Sequence, residues 1–311
     1  MSDEPIHSSE SGRSGDQEAP GPSQSDSNGS NRMEIENSDS NFANEVEQEN
    51  LERFLFDGSR GLDDQQPKLD RSLEEMTEEE QEIFKFLSDG KNLEKLISFL
   101  SLEENKGRDK FDSRRFLMWK GIFRNYGISI LEKLKPHIEA LCDDQAESSQ
   151  RCASELLAGL IRGCKHWDWE MSVSLWAWLV PVLRGLLGKV TVETIKDWGT
   201  CFATASESRD PNRIHWMLEV LMEEPLRSQG SFLDASRLYV LQGALAQQEW
   251  RIGSLLHKLD RFLSPFLTHP YQVFQSAIID GLFIFFSPLI ECERETGLRG
   301  GECLRYGHPF Q

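Results

Sequence analysis

The sequence predicts an all-α chain built as an α-solenoid, and two observations carry that prediction. Apolar residues recur at helical spacing from about residue 80 onward. Ala153, Leu156, Leu157, Leu160, Ile161 and Cys164, for example, follow i, i+3, i+4, i+7, i+8 and i+11. The segments so marked come as hairpins, and their first residues, Ser113, Gln150, Thr191, Ser231 and Tyr271, lie 37, 41, 40 and 40 residues apart. A period of about 40 residues carrying two helices per unit is the signature of HEAT and armadillo repeats, where each unit buries its apolar face only against its neighbours. No alternating pattern of comparable length argues for strands.

Charge divides the chain before the repeats begin. Residues 1–82 hold 23 Asp/Glu against 6 Lys/Arg, a net of -17, and the remainder holds 29 against 28, a net of -1, which together make the formal -18. Ser, Glu, Asp, Asn, Gly and Pro dominate residues 1–48, so this stretch has too little apolar surface to offset the entropy of ordering. Residues 1–75 are therefore expected to be a disordered acidic segment. It suits a docking or phosphorylation role around Ser38 and Ser40, or simple solvation. The island "LERFLF" at 51–56 reads as a short binding motif or as the approach to the fold. An acidic balance opposes contact with phosphate backbones, so no direct nucleic-acid partner is expected.

The elements follow in order. "SLEEMTEEEQEIFKFL" places glutamates in a first helical turn, where the helix dipole favours them. After the stripe ending near Gly163, a second stripe runs through Val173, Trp176, Leu179, Val180, Leu183 and Leu187, with a kink expected at Pro181. Thr191 is placed to cap a helix carrying Val192, Ile195, Trp198, Phe202 and Ala205. Asp210-Pro211 is a start signal for a helix presenting Ile214, Met217, Leu218 and Leu221. Ser231 opens the next, with Asp234 three residues on, and its partner carries Ile252, Leu255, Leu256, Leu259, Phe262 and Leu263. The repeats are expected over 76–290 and an irregular tail over 291–311. The apolar stretch 273–290 contains Gln275, Asp280 and Pro288 and reads as a buried helix rather than a membrane span.

Chemistry-bearing residues are sparse. "RCASELLAGLIRGCKHWDWE" gathers Cys152, Cys164, His166, Trp167 and Trp169, yet a structural zinc site wants two close-spaced pairs of ligands, and the six cysteines include no CxxC. A thiol nucleophile needs a base and an orienting group; His166 is too close in sequence to Cys164 to count as that base, and no other constellation supports one. The expected reading is a hinge, with both cysteines on inner helix faces and both tryptophans filling the turn. "SDGKNLEK" lacks phosphate-loop spacing, and Trp176 falls on a core stripe. The candidates for binding a polyanion are Arg108, Lys110, Arg114 and Arg115, with Arg162 and Lys165 as a smaller cluster. No catalytic residue and no metal ligand is expected, and the chain reads as a non-enzyme.

"ASELLAGLIRGCKHW", "TVETIKDWGTCFATASESRDPNRIHWMLEVLME" and "SFLDASRLYVLQGALAQQEWRI" together resemble the large HEAT-repeat proteasome activators, over roughly residues 75–265. The resemblance implies a solenoid that caps the core 20S proteasome at its α subunits and opens its gate without ATP or ubiquitin. It further implies degradation of acetylated histones in DNA repair and spermatogenesis, a nuclear and cytoplasmic location, and an inositol phosphate as ligand. Family members end in a Tyr-Tyr-Ala-type tail and read acetyl-lysine through a far C-terminal region. This chain ends "GECLRYGHPFQ", so no gate-opening or acetyl-lysine residue is carried over and a truncated form is expected. The other reading is a general HEAT adaptor of nuclear-transport type holding a peptide on its concave face.

Overall fold

A computed structural model describes residues 50–51, 53–55, 72–102, 110–207, 209, 213–223, 231–245 and 256–264. Among the described residues the secondary structure is helical, with no strand. A 3-10 turn at Leu73–Glu75 leads into α1 (Glu78–Ser88) and α2 (Gly90–Leu100). Then come α3 (Ser113–Asp143), α4 (Glu147–Gly163), α5 (Trp169–Leu187), α6 (Ile195–Ser206), α7 (His215–Leu221), α8 (Ser231–Leu245) and α9 (Leu256–Leu263).

The acidic entry folds as its residues dictate. Ser72 and Thr77 each form a capping box, with Glu75 and Glu80 reaching back to the cap N–H, and Glu78, Glu79 and Glu80 occupy the first turn of α1. The island at 51–56 turns out to be part of the fold: Leu55 is fully buried in the core and Leu51 packs against it, inside the span the sequence assigned to the 1–75 segment.

A single glycine makes α3 into a hairpin. At Gly127 φ is 61° and ψ is -139°, a conformation that a side chain resists, so the helix divides into arms 113–126 and 128–143. The two arms go to different layers. In one layer the first arm, α4, α6 and α8 lie side by side: Gly159 and Gly163 of α4 press on Trp119, Lys120 and Phe123, and Gly199 of α6 meets Tyr239 and Gly243 of α8. In the other layer the second arm, α5, α7 and α9 are cross-linked at a constant offset. Trp178 donates to Glu139 at 2.6 Å, Arg184 Nε to Glu223 at 2.8 Å and Lys258 to Glu219 at 3.3 Å, each pair 39 residues apart. The near-40 spacing of the sequence is thus the physical register of the stack. Gly127→Ala is expected to cost about 1–3 kcal/mol, because the hairpin turn needs that conformation; a thermal melt of the variant checks it.

Local expectations meet different outcomes. Pro181, where a kink was expected, lies inside α5, which is continuous from Trp169 to Leu187. Both Ala177 and Pro181 are exposed, so the carbonyl freed by proline is left to solvent rather than forcing a break. Thr191 caps the turn that leads into α6 rather than α6 itself: Thr191 and Thr194 exchange backbone-to-hydroxyl hydrogen bonds of 3.0 and 3.3 Å in the manner of a capping box, α6 begins at Ile195, and Val192 is left 66% exposed. Trp169 does not fill the turn with Trp167, since it is 64% exposed. The start signal at Asp210-Pro211, the hairpin from Tyr271, the stretch 273–290 and the tail 291–311 lie outside the described residues.

Candidate functional site

The centre of the stack is α4, which is buried on nearly every side: of residues 148–161 only Arg151 reaches even intermediate exposure. A helix so enclosed must find partners for its polar groups internally, and it does so largely through links to its neighbours, Glu155 Oε2 and Arg162 Nη1 being buried without a hydrogen bond. Gln150 donates to the carbonyls of Leu141 (3.2 Å) and Cys142 (3.1 Å), holding the end of α3, and accepts from Trp198 Nε1 of α6 at 3.1 Å. Glu155, 1% exposed, accepts the Asp112 N–H at 2.7 Å and stands 3.7 Å from the guanidinium of Arg115. Arg115 in turn donates to the carbonyl of Leu100 at 2.8 Å, which ties α2 into the same clasp. Asp197 of α6 accepts from Phe111 N and Arg151 Nε, both at 3.2 Å. The clasp therefore joins α2, α3, α4 and α6 around a small cavity lined by Leu100, Leu102, Lys110, Asp112, Arg115, Ser148, Arg151 and Glu155.

The electrostatics follow from that burial. Desolvation pushes the Glu155 carboxyl up to about 7, against the pull of Arg115 and the Asp112 N–H. Burial also raises Asp197, opposed by Arg151. This is a structural ion-pair network, one in which each carboxylate holds two chain segments in register.

The first set of polyanion candidates is split by this arrangement. Arg115 points inward, 6% exposed, and is engaged by Glu155 and Leu100. Arg114 faces solvent, its side chain 74% exposed, at 3.5 Å from Asp112. Lys110 is exposed beside the cavity, whose lining includes two carboxylates, and Arg108 lies outside the described residues.

Arg162 and Lys165 sit elsewhere, at the α4–α5 turn, in company the sequence did not indicate. Arg209 is 3% exposed and donates to the Arg162 carbonyl at 3.5 Å, and Glu207 lies 4.0 Å from the Arg162 guanidinium. Burial pushes the His166 imidazole down, and the charges of Arg124, Lys165, Arg209 and Arg213 push it further. Those cations come from three successive hairpin turns, brought to one edge of the stack by the repeat register. Cys164, 4% exposed, hydrogen-bonds through Sγ to the Ile161 carbonyl at 3.1 Å, and burial raises its thiol above the ordinary range. Trp167 is 1% exposed and donates to the Phe123 carbonyl at 3.1 Å, so it pins the turn to α3. Cys142, Cys152, Cys164 and Cys201 are buried thiols outside any disulfide, and among the described residues no group of three or more His, Cys, Asp or Glu is placed to hold a metal.

An enclosed central helix, a constant 39-residue register and side-chain chemistry turned to joining repeats describe a scaffold. Known proteins give that scaffold a family. Residues 61–243 match the family described as proteasome activator complex subunit 4-like, HEAT repeat-like. The chain belongs to this family. Over 210 residues it is 57% identical to proteasome activator complex subunit 4 of Bos taurus and equally to that of Homo sapiens, covering 67% of this chain and 11% of each relative. It is 53% identical over 210 residues to proteasome activator complex subunit 4A of Danio rerio, covering 12% of that protein. The chain thus spans about a ninth of the length of the curated relatives it matches.

Residues that sequence reasoning missed are the inward polar ones: Gln150, Glu155 and Asp197. The signal that could have found them is the scarcity of charge in "SSQRCASELLAGLIRG". Apart from Arg151 and Arg162, Glu155 is its sole charge, which marks a helix enclosed all round.

Proposed function

We propose that this chain works as a non-enzymatic HEAT-repeat segment of a proteasome activator, which docks on the α subunits of the core 20S proteasome and shapes a chamber above its entrance. The observation that supports this reading most is the 57% identity over 210 residues, because it covers 67% of this chain rather than a single motif. The activity so assisted is ATP- and ubiquitin-independent degradation, acetylated core histones included, in DNA repair and spermatogenesis. Its compartments are the nucleus and cytoplasm. The reading needs no bond-making residue: recognition comes from surfaces held rigid by the buried clasp, with substrate handling left to the core particle's own peptidase sites.

The test is hydrolysis of a fluorogenic peptide by purified core proteasome with and without the full 311-residue chain, in the absence of ATP. A saturable rise in rate is expected. An unchanged rate in a sample where the chain co-migrates with the core would restrict the role to docking. An unchanged rate without co-migration would overturn the reading in favour of a peptide-binding adaptor.

A further inference from the structure

The surface that the fold leaves least explained is the outward face of α5 and the turn edge beside it. Trp169 and Val173 are 64% and 42% exposed. Ala177 and Pro181 are exposed one and two turns further on, so four residues at i, i+4, i+8 and i+12 form one uncharged stripe about 18 Å long. The helix as a whole is apolar enough to cross a membrane by composition, yet only 33% of its most apolar window is buried. Its other face, with Leu175, Trp176, Leu179 and Leu183, is in the core, so the exposed stripe is surplus to the fold.

At its N-terminal end the stripe is bound into an aromatic platform. Trp169 lies 5.4 Å from Trp216, which stacks at 6.0 Å on Trp176 and meets His215 in a tilted contact at 3.8 Å. The platform holds the exposed indole in place, which lowers the entropy it would lose on meeting a partner. Next to it is the cation edge. Lys165 and Arg213 are exposed, His166 is half-buried, and neither Lys165 nor Arg213 makes an ion pair among the described residues. Arg162 has a buried Nη1 with no hydrogen-bond partner. Of the acids nearby, Asp168 is used as the α5 cap, accepting from Met171 N at 2.7 Å, Glu207 faces Arg162 at 4.0 Å, and Glu170 is exposed. The charges that bear on His166 are those of Arg124, Lys165, Arg209 and Arg213.

We infer that the α5 stripe and the adjoining turn edge form a docking surface for an acidic amphipathic helix of a partner protein, its apolar side on Trp169, Val173, Ala177 and Pro181 and its acidic end on Lys165, Arg213 and Arg162. An uncharged stripe of just over three turns suits the apolar face of a helix, and the cations at one end set its direction. The repeats from residue 83 onward are nearly neutral, at a formal -1, so attraction for an anion is confined to this cation edge and is felt within about 8–10 Å, a reach that suits the acidic end of a short peptide. This surface is independent of the proteasome reading, since it is argued from exposure and charge on one side of the stack.

The probe is a fluorescein-labelled acidic amphipathic peptide of about four turns, Leu and Phe on one face and Glu and Asp on the other, titrated by anisotropy against the full chain. A scrambled peptide of the same composition, oligo-dT and phosphatidylserine vesicles are run beside it. The expected result is binding of the amphipathic peptide, weakened about tenfold or more by Trp169→Ala and likewise by the double variant Lys165→Glu/Arg213→Glu. It weakens with added salt and is not reproduced by the scramble. All three residues are exposed, so circular dichroism should find the variants folded. On binding, the imidazole of His166, followed by NMR, should titrate at higher pH, as an arriving carboxylate offsets the surrounding cations. The inference is overturned by any of four outcomes: no binding, binding unchanged in both variants, equal binding of the scramble, or tighter binding of oligo-dT or vesicles. Competition by inositol hexakisphosphate together with indifference to Trp169→Ala would overturn it too, by assigning the cations to a small polyanion.

Discussion

Gly159→Ala is expected to lower the stability of the repeat stack by about 2–3 kcal/mol, and Gly159→Val by more. A Cβ at this position would sit against Trp119 Cβ, 2.9 Å from Lys120 N and 3.0 Å from the Trp119 carbonyl carbon. Two of those atoms are backbone, so the collision cannot be relieved by turning a side chain; α4 and α3 must move apart. Separation would open the core where Trp119, Phe123, Leu156 and Leu160 are essentially fully buried, and it would loosen the Glu155 clasp on the same helix pair. The control lies in the same fold. Gly185 is also a helical glycine, but a Cβ there meets nothing within 4 Å. Gly185→Ala should therefore stabilise by up to about 1 kcal/mol, through helix propensity and a less entropic unfolded chain. Thermal melts of the two variants should move in opposite directions. Equal melts would contradict the close helix crossing.

Removing the guanidinium of the buried pair carries the second large effect. Arg115→Ala leaves Glu155 enclosed without its counter-charge, and a loss of about 3–5 kcal/mol is expected at pH 8. The same loss should shrink at pH 6, where Glu155 can take up a proton instead. Glu155 also gives the native protein a pH dependence whose sign is set by the direction of its shift. Its folded value, about 7, lies above its ordinary 4.5. The folded state thus holds a proton that the unfolded chain has released. That contribution to stability is fully present below about pH 4.5 and is lost as the pH rises through about 7, a change of about 3 kcal/mol. Asp197, also raised by burial, acts in the same direction. His166 is lowered and acts in the opposite one, with stability gained as the pH rises through its unfolded value. Glu155→Gln keeps the acceptor for Asp112 N–H and removes the titration, so the difference between wild type and this variant isolates the Glu155 part. Denaturant melts at several pH values should give a flatter profile for Glu155→Gln; parallel profiles would show that Glu155 does not titrate near neutrality.

The architecture was legible in the sequence because solenoids write their register into it. Hairpins starting near 113, 150 and 191 and a helix at Ser231 all have structural counterparts, and the 39-residue cross-links restate the spacing. Local geometry was less legible. Pro181, where a kink was expected, lies within a continuous helix, while Gly127, which helical periodicity does not single out, is the turn of a hairpin. Helical periodicity marks one buried stripe, so it could not reveal that α4 is covered on both sides and that Glu155 and Gln150 are interior. The basic clusters show the same limit. Arg114 and Arg115 are neighbours in sequence, but helical geometry sends one to solvent and the other into the core. Arg124, Lys165, Arg209 and Arg213 are far apart in sequence, and the repeat register brings them to one edge.

The proposal that this stretch of repeats docks on the proteasome is tested most directly by native electrophoresis of the purified chain with purified core proteasome. The account predicts a saturable shift of the core band that needs no ATP and is lost with Gly159→Val, whose repeats no longer pack. A core band that stays in place at saturating chain, with the wild-type repeats shown to be folded in the same sample, would contradict it.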